Sequence, residues 1–145
     1  MSRIPRIPLS LLERGCACVS GSDDEGKNNR RNQERNVSRD EGCDAMASLC
    51  ALFPALRKAP GAAPWDATAM LRHACGAISH GEQLAARFVL SVWNCKADWN
   101  EEAHKKGFLR ADDRLRRFDV FEALAVWDFA NREAFLTWAR DPFFP

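Results

Sequence analysis

Apolar side chains recur at helical spacing from about residue 44 to the end of the chain and are sparse before it. Leu49, Cys50, Leu52 and Phe53 share one side of a helix predicted over 44–53. Pro54 ends or kinks that helix, with a last turn to Lys58, because proline lacks an N–H and its ring clashes with the preceding turn. Residues 59–64, APGAAP, read as a loop, and Asp66 as the N-cap of a second helix carrying Met70, Leu71, Ala74, Cys75 and Ile78. Ser79 and Glu82 have the three-residue spacing of a capping box. It opens a helix through Trp93 with Leu84, Phe88, Val89 and Val92, the most apolar segment and the predicted centre of the core. Residues 94–100 read as a turn, and 101–106 as a short helical turn ended by Gly107. Residues 110–117, RADDRLRR, suit a short charged helix or helical loop, with Asp112–Arg116 and Asp113–Arg117 as acid-to-base pairs four apart.

Asp119 and Glu122 repeat the capping-box spacing, and Val120, Phe121, Leu124 and Trp127 form an apolar stripe behind them. Asp128 is placed to cap a final helix over 129–140, which offers Phe135, Leu136, Trp138 and Ala139 to the core. The pattern leaves open whether 119–140 is one helix or two meeting near Asp128. Asp141-Pro142 stops the helix, and Phe143 and Phe144 are expected to dock back. With no alternating β-branched run, hairpin dipeptide or internal repeat, the predicted fold is all-α: a small irregular bundle of four to five helices.

Composition sharpens the domain boundary. All five Trp and all nine Phe lie within 46–145. Residues 19–44 are Ser, Gly, Asn, Asp, Glu and Arg with mixed charge, too poor in apolar area to offset the entropy of ordering. Residues 1–45 are therefore expected to be a disordered polar segment and 46–145 the helical domain. Met46, at the point where the composition changes, is an alternative start of translation. A net charge of +1 provides no global field for nucleic acid or an anionic membrane. The apolar piece between Ile7 and Leu12 is short, interrupted by proline and unlike a secretory signal, and no run approaches the length of a membrane span. A cytoplasmic protein is expected, with its six cysteines as free thiols.

The stretch from Phe118 to Pro145, FDVFEALAVWDFANREAFLTWARDPFFP, together with FVLSVWN from Phe88 to Asn94, resembles a group of small uncharacterised bacterial proteins. They share a pattern close to F-D-x-F-E-A-L-x-x-W-D followed by F-L-x-W-A-x-D-P and two aromatics. The resemblance implies a helical fold and a bacterial origin and carries no activity with it.

No motif specifies a reaction, so candidate sites are weighed against plainer roles. His73, Cys75, His80, Cys95 and His104 are metal-ligating types, but His73 and Cys75 are two apart and diverge on a helix, there is no Cys-x-x-Cys, and Cys16-x-Cys18 is too closely spaced. Of the acids Glu82, Asp119, Glu122 and Asp128, three suit caps; Ser79 and Ser91 lack a nucleophile motif, and Cys75 beside His73 or His80 is a poor nucleophile pair. No catalytic residue, metal or cofactor is assigned. Trp65, Trp99, Phe129, Phe143 and Phe144 fall at loops, caps or the terminus, where aromatics either plug a small bundle or anchor a partner. The reading with the fewest assumptions is a protein-interaction module, binding an unknown partner or a second copy through Trp99, Phe129, Phe143 and Phe144, with no membrane role. The alternative is a nucleic-acid-binding accessory protein using Lys105, Lys106, Arg110, Arg114 and Arg117, the last three sharing a face if 110–117 is helical. Asp112 and Asp113 weaken that patch.

Overall fold

In the computed structural model, which describes residues 39–145, the first helix, α1, covers 39–52. Met46, Leu49, Cys50 and, just past the end, Phe53 recur at three and four residues and are all buried. The helix is under way before the predicted start at 44, so residues 39–45, grouped by composition with the polar segment, are helical. Arg39, Asp40 and Glu41 serve as an exposed face, where polarity is no obstacle to a helix. Cys43 packs against the core from this turn. Gly42 lies so close to Pro145 that a Cβ on it would stand 3.0 Å from the proline side chain. Residues 1–38, with Cys16, Cys18 and the rest of the polar segment, lie outside the described residues.

Pro54 ends α1 as expected, and the backbone tightens into a 3-10 turn, Pro54–Leu56, with Leu56 N–H donating to the Phe53 carbonyl at 3.0 Å. The 59–64 loop turns on Gly61, whose φ of +81° and approach to the Asp66 carbonyl leave no room for a Cβ. Asp66 then caps α2 (Ala67–Ala74), accepting from the N–H groups of Thr68 and Ala69 at 2.8 and 3.1 Å. Met70, Leu71 and Ala74 are buried, but Cys75 is already the C-cap and Ile78 lies outside the helix. Gly76 is a poor continuation, and Ser79 holds the chain extended for the next start.

The predicted capping box is present: Glu82 N–H donates to Ser79 Oγ and Ser79 N–H donates to Glu82 Oε2. It opens α3 (His80–Trp93), in which residues 84–90 and Val92 are buried on every side. A helix buried all round is central by necessity, and α3 packs against α2, the 3-10 turn and the helix Val120–Val126.

Asp98 caps α4 (Trp99–Lys105), two residues ahead of the predicted start. Gly107, at φ +70°, ends it in a Schellman arrangement, its N–H reaching the His104 carbonyl and Phe108 N–H reaching Ala103 at 2.8 Å. Residues 110–117 are not helical, which overturns the charged helix and the single face for Arg110, Arg114 and Arg117. Between Leu109 and Phe118 the only large apolar residue is Leu115, so a helix here would have no apolar stripe to bury. Tertiary bonds take the backbone instead: Leu115 is buried and its N–H donates to Asn100 Oδ1 at 2.9 Å.

The last segment is two helices, α5 (Val120–Val126) and α6 (Phe129–Arg140), meeting at Trp127 and Asp128. Asp119 caps α5, but the second capping box does not form, because Glu122 turns away toward Arg87. Asp128 caps α6, and buried Asn131 ties that helix to the 3-10 turn by accepting from Ala55 N–H at 3.4 Å. Phe88 gathers the aromatic core, with Phe53, Phe118, Phe135 and Trp138 at ring separations of 5.0–5.5 Å. Trp127 is 2 % exposed, and its indole N–H donates to the Gly81 carbonyl at 3.0 Å. Among the described residues no strand occurs and no helix is long and apolar enough to cross a membrane.

Candidate functional site

Two features stand out once the elements are in place: a buried arginine beside a cleft, and an outward apolar face. Arg87 lies midway along α3 and is 3 % exposed. Its Nη1 donates to the carbonyls of Arg116 and Arg117, each at 3.3 Å, which fastens the irregular 108–119 segment to the central helix. Its Nη2 faces Glu122 Oε2 of α5 at 3.6 Å. The same carboxylate meets His80 Nε2 at 3.1 Å and Arg116 Nη1 at 3.8 Å. Nε and Nη2 of Arg87 have no hydrogen-bond partner among the described residues. Burial pulls the Arg87 pKa below the ordinary arginine value; the Arg116 charge acts with it, and Glu122 and Asp119 oppose it. Arginine retains its charge even so.

Beside Arg87 opens a cleft of about 450 Å³. Arg114, Arg116 and Arg117 line one wall, and Leu90, Trp99 and Phe118 supply apolar surface. The carboxylate in the lining is Asp98, whose Oδ1 accepts from Glu101 N–H at 3.0 Å as the cap of α4.

Most of the exposed large apolar side chains lie on α5 and α6, with Leu52 on α1 and Phe144 near the terminus. The stripe predicted to face inward is divided: Trp127 is buried, whereas Phe121 is 81 % and Leu124 37 % exposed. Ala123 is the residue α5 turns inward. On α6, Ala134 and Asn131 are buried and Phe135 and Trp138 pack on the core, so Phe129 and Leu136 face outward with Arg132 and Arg140. Leu136 and Ala139 were expected on the core side and are exposed. The α5–α6 break resets the helical phase, which a continuous reading through Asp128 misses.

The predicted anchors fall into two kinds. Phe129 is 78 % exposed, and Phe144 is 64 % exposed with its ring edge against Trp138 at 5.7 Å. Trp99 and Phe143 pack on the core, and Trp99 Nε1 donates to the Leu90 carbonyl at 3.1 Å. Trp65 is buried against Trp93. Of the predicted cations, Lys105 is tied to Glu101 at 2.8 Å and Glu102 at 3.6 Å. Lys106, Arg110, Arg114 and Arg117 are exposed. The pairs Asp112–Arg116 and Asp113–Arg117 do not form among the described residues; Arg116 turns to Glu122 instead.

No three His, Cys, Asp or Glu side chains converge to hold a metal ion among the described residues, so His73, Cys75, His80, Cys95 and His104 are not brought to one point. Burial pushes the Cys50 thiol up to about 12, against the hydrogen bond at its own backbone, and raises Cys75 as well, the reverse of what a thiolate nucleophile needs. Hydrogen bonds from the Ser79 backbone and hydroxyl hold Glu82 below the usual carboxylate range, and Asp119 and Asp128 are occupied as caps.

Arg87 itself was not singled out from the sequence. The signal is there in retrospect, as one arginine amid LAARFVL, a stretch apolar on every face. No family model matches the chain, and no curated protein or solved structure matches it either.

Proposed function

We propose that this is a protein-interaction module, a bacterial cytoplasmic adaptor, that presents the outer face of α5 and α6 to a partner protein. The observation that carries the reading is the exposure of two phenylalanines, Phe121 at 81 % and Phe129 at 78 %, in a domain whose other aromatics, Phe144 apart, are buried or half-buried against the core. Aromatic rings left in water next to exposed Leu124, Val126 and Leu136 are the kind of surface that anchors a protein contact. Phe121, which was not among the predicted anchors, joins Phe129 and Phe144; Trp99 and Phe143 are left out because they pack on the core. Arg132 and Arg140 flank the α6 anchors. Their charges suit an apolar groove whose rim carries acidic side chains. Cys43, Cys50, Cys75 and Cys95, unpaired among the described residues, suit a reducing compartment. The nucleic-acid reading is weaker, since Lys105 is paired with acids and 110–117 has no helical face.

The test is a photo-crosslinker at position 121 of the full chain in host cells, with Phe129→Ser as the control. One protein crosslinked in the parent, lost in the folded Phe129→Ser form and retained by Arg114→Gln supports the reading. Equal crosslinking with Phe129→Ser, recovery of nucleic acid alone, or crosslinks only between two copies of this chain would overturn it.

A further inference from the structure

We propose that the cleft between α3, α4 and the 114–118 segment is a binding site for a small multivalent oxyanion, a phosphorylated or polycarboxylate metabolite, held by Arg114, Arg116 and Arg117 over the buried Arg87. This is independent of the α5–α6 surface. Four observations converge on it. The first is charge: four arginines line the cleft against one carboxylate, Asp98, which is engaged as a helix cap. The second is the state of Arg87. It is 3 % exposed, yet two of its guanidinium nitrogens have no hydrogen-bond partner among the described residues. Its nearest acid, Glu122, stands at 3.6 Å and is shared with Arg116 and His80. One carboxylate thus serves two guanidinium groups, and among the described residues it accepts no hydrogen bond from the buried Arg87.

The third observation is shape. A cleft of about 450 Å³ is within the range of small-molecule sites. Leu90, Trp99 and Phe118 give the carbon skeleton of an organic anion apolar surface to cover. The fourth is preorganisation. Arg87, 3 % exposed, belongs to the cleft lining beneath the segment and serves as its support. It acts by fixing the carbonyls of Arg116 and Arg117, so that consecutive exposed guanidinium groups project from a backbone held at both Leu115 and residues 116–117. Arginine forks match carboxylate and phosphate oxygens in pairs, so the geometry calls for at least two such groups on the ligand. Arg87 is a positioning residue here, and Arg114 and Arg117 are contact residues with no ion pair among the described residues.

The test is isothermal titration of the full chain with inorganic pyrophosphate, with citrate and with a single-stranded oligonucleotide, at fixed low salt. Saturable one-to-one binding of pyrophosphate or citrate is expected, and the preferred probe distinguishes a phosphate from a carboxylate ligand. Arg114→Gln and Arg117→Gln, taken singly, should each raise Kd by about tenfold while thermal melts show an unchanged fold. Hydrogen exchange provides the reading that does not depend on a variant, with amides of 114–118 slowed by the bound probe. Absence of saturable binding by both small anions, binding unaffected by either folded variant, or binding of the oligonucleotide alone would overturn the proposal.

Discussion

The two flanks of α3 are held by different physics. On the side of α2 and the 3-10 turn the buried side chains are apolar, Met70, Leu71, Ala74 and Leu56 against α3 with its buried Leu84 and Val89, and one side-chain hydrogen bond, from Gln83 Nε2 to the Ala74 carbonyl at 3.2 Å, joins α3 to α2. On the other side the 108–119 segment has one fully buried apolar residue, Leu115, with Phe108, Leu109 and Phe118 half-buried on the core, and its backbone path is set by bonds to Arg87 and Asn100, with Arg116 facing the Glu122 carboxylate. Apolar packing tolerates small shifts and has no direction. A guanidinium bonded to two successive carbonyls fixes the path of a chain that has no secondary structure of its own. The first flank is suited to stability, whereas the second is suited to presenting charged side chains at a fixed place.

Substitutions that act on one flank at a time test that division. Trp127→Ala removes the ring that joins both sides at the base of the core and is expected to destabilise by about 3–5 kcal/mol, measured by urea unfolding. Arg87→Ala should remove about 3 kcal/mol, because it strips two buried carbonyls of their donor. Its distinguishing sign is local: hydrogen exchange should quicken through 108–118 well before it does in α2. If the whole domain loosens together, the two flanks are not separable. A chain beginning at Met46 lacks the 39–45 turn and its Cys43 contact, and is expected to lose about 1–2 kcal/mol while remaining folded.

Ser79→Ala acts at the start of α3 and should remove about 1 kcal/mol. It should also change the acid limb of stability. The folded-state pKa of Glu82 is depressed by its bonds to Ser79. Its contribution is therefore complete above the ordinary carboxylate pKa and disappears as pH falls through the lower folded value. The variant keeps the backbone N–H of residue 79, the larger cause, and loses the hydroxyl, so its unfolding midpoint should fall only slightly less steeply in acid than that of the parent. The smallest effect on stability is expected from Phe121→Ser with Phe129→Ser, under about 0.5 kcal/mol, since both rings already face solvent. A large loss of stability would place those rings in the core and remove the proposed docking face.

Local signals were legible where a single residue type decides the backbone. Pro54 as a stop, Asp66, Asp119 and Asp128 as caps, and the Ser79–Glu82 box all depend on neighbours within three or four residues. The second box failed for a nonlocal reason, since the Glu122 carboxylate faces His80 and Arg87 of α3, the latter 35 residues away in sequence (122 − 87). The charged helix at 110–117 failed in the same way. Its i to i+4 pairs are worth a few tenths of a kcal/mol each, less than the backbone bonds to Arg87 and Asn100. Of the expected anchors, Phe129 and Phe144 carry over to the proposed face, and the sequence offers no local mark that separates them from Trp99 and Phe143, which lie against the core.

The sequence by itself determined that the chain from α1 onward is helical, roughly where each helix begins, and that α3 is central, because spacing and capping act through contacts a few residues long. Only the tertiary structure decided which aromatics are outside, how 108–119 is held, and that one buried arginine organises a cleft. Those outcomes depend on pairs such as Arg87 with the carbonyls of Arg116 and Arg117, or Trp127 with Gly81. Such pairs exist only after the bundle has closed, and a buried charge or indole N–H then takes whatever partner the closed bundle brings within reach.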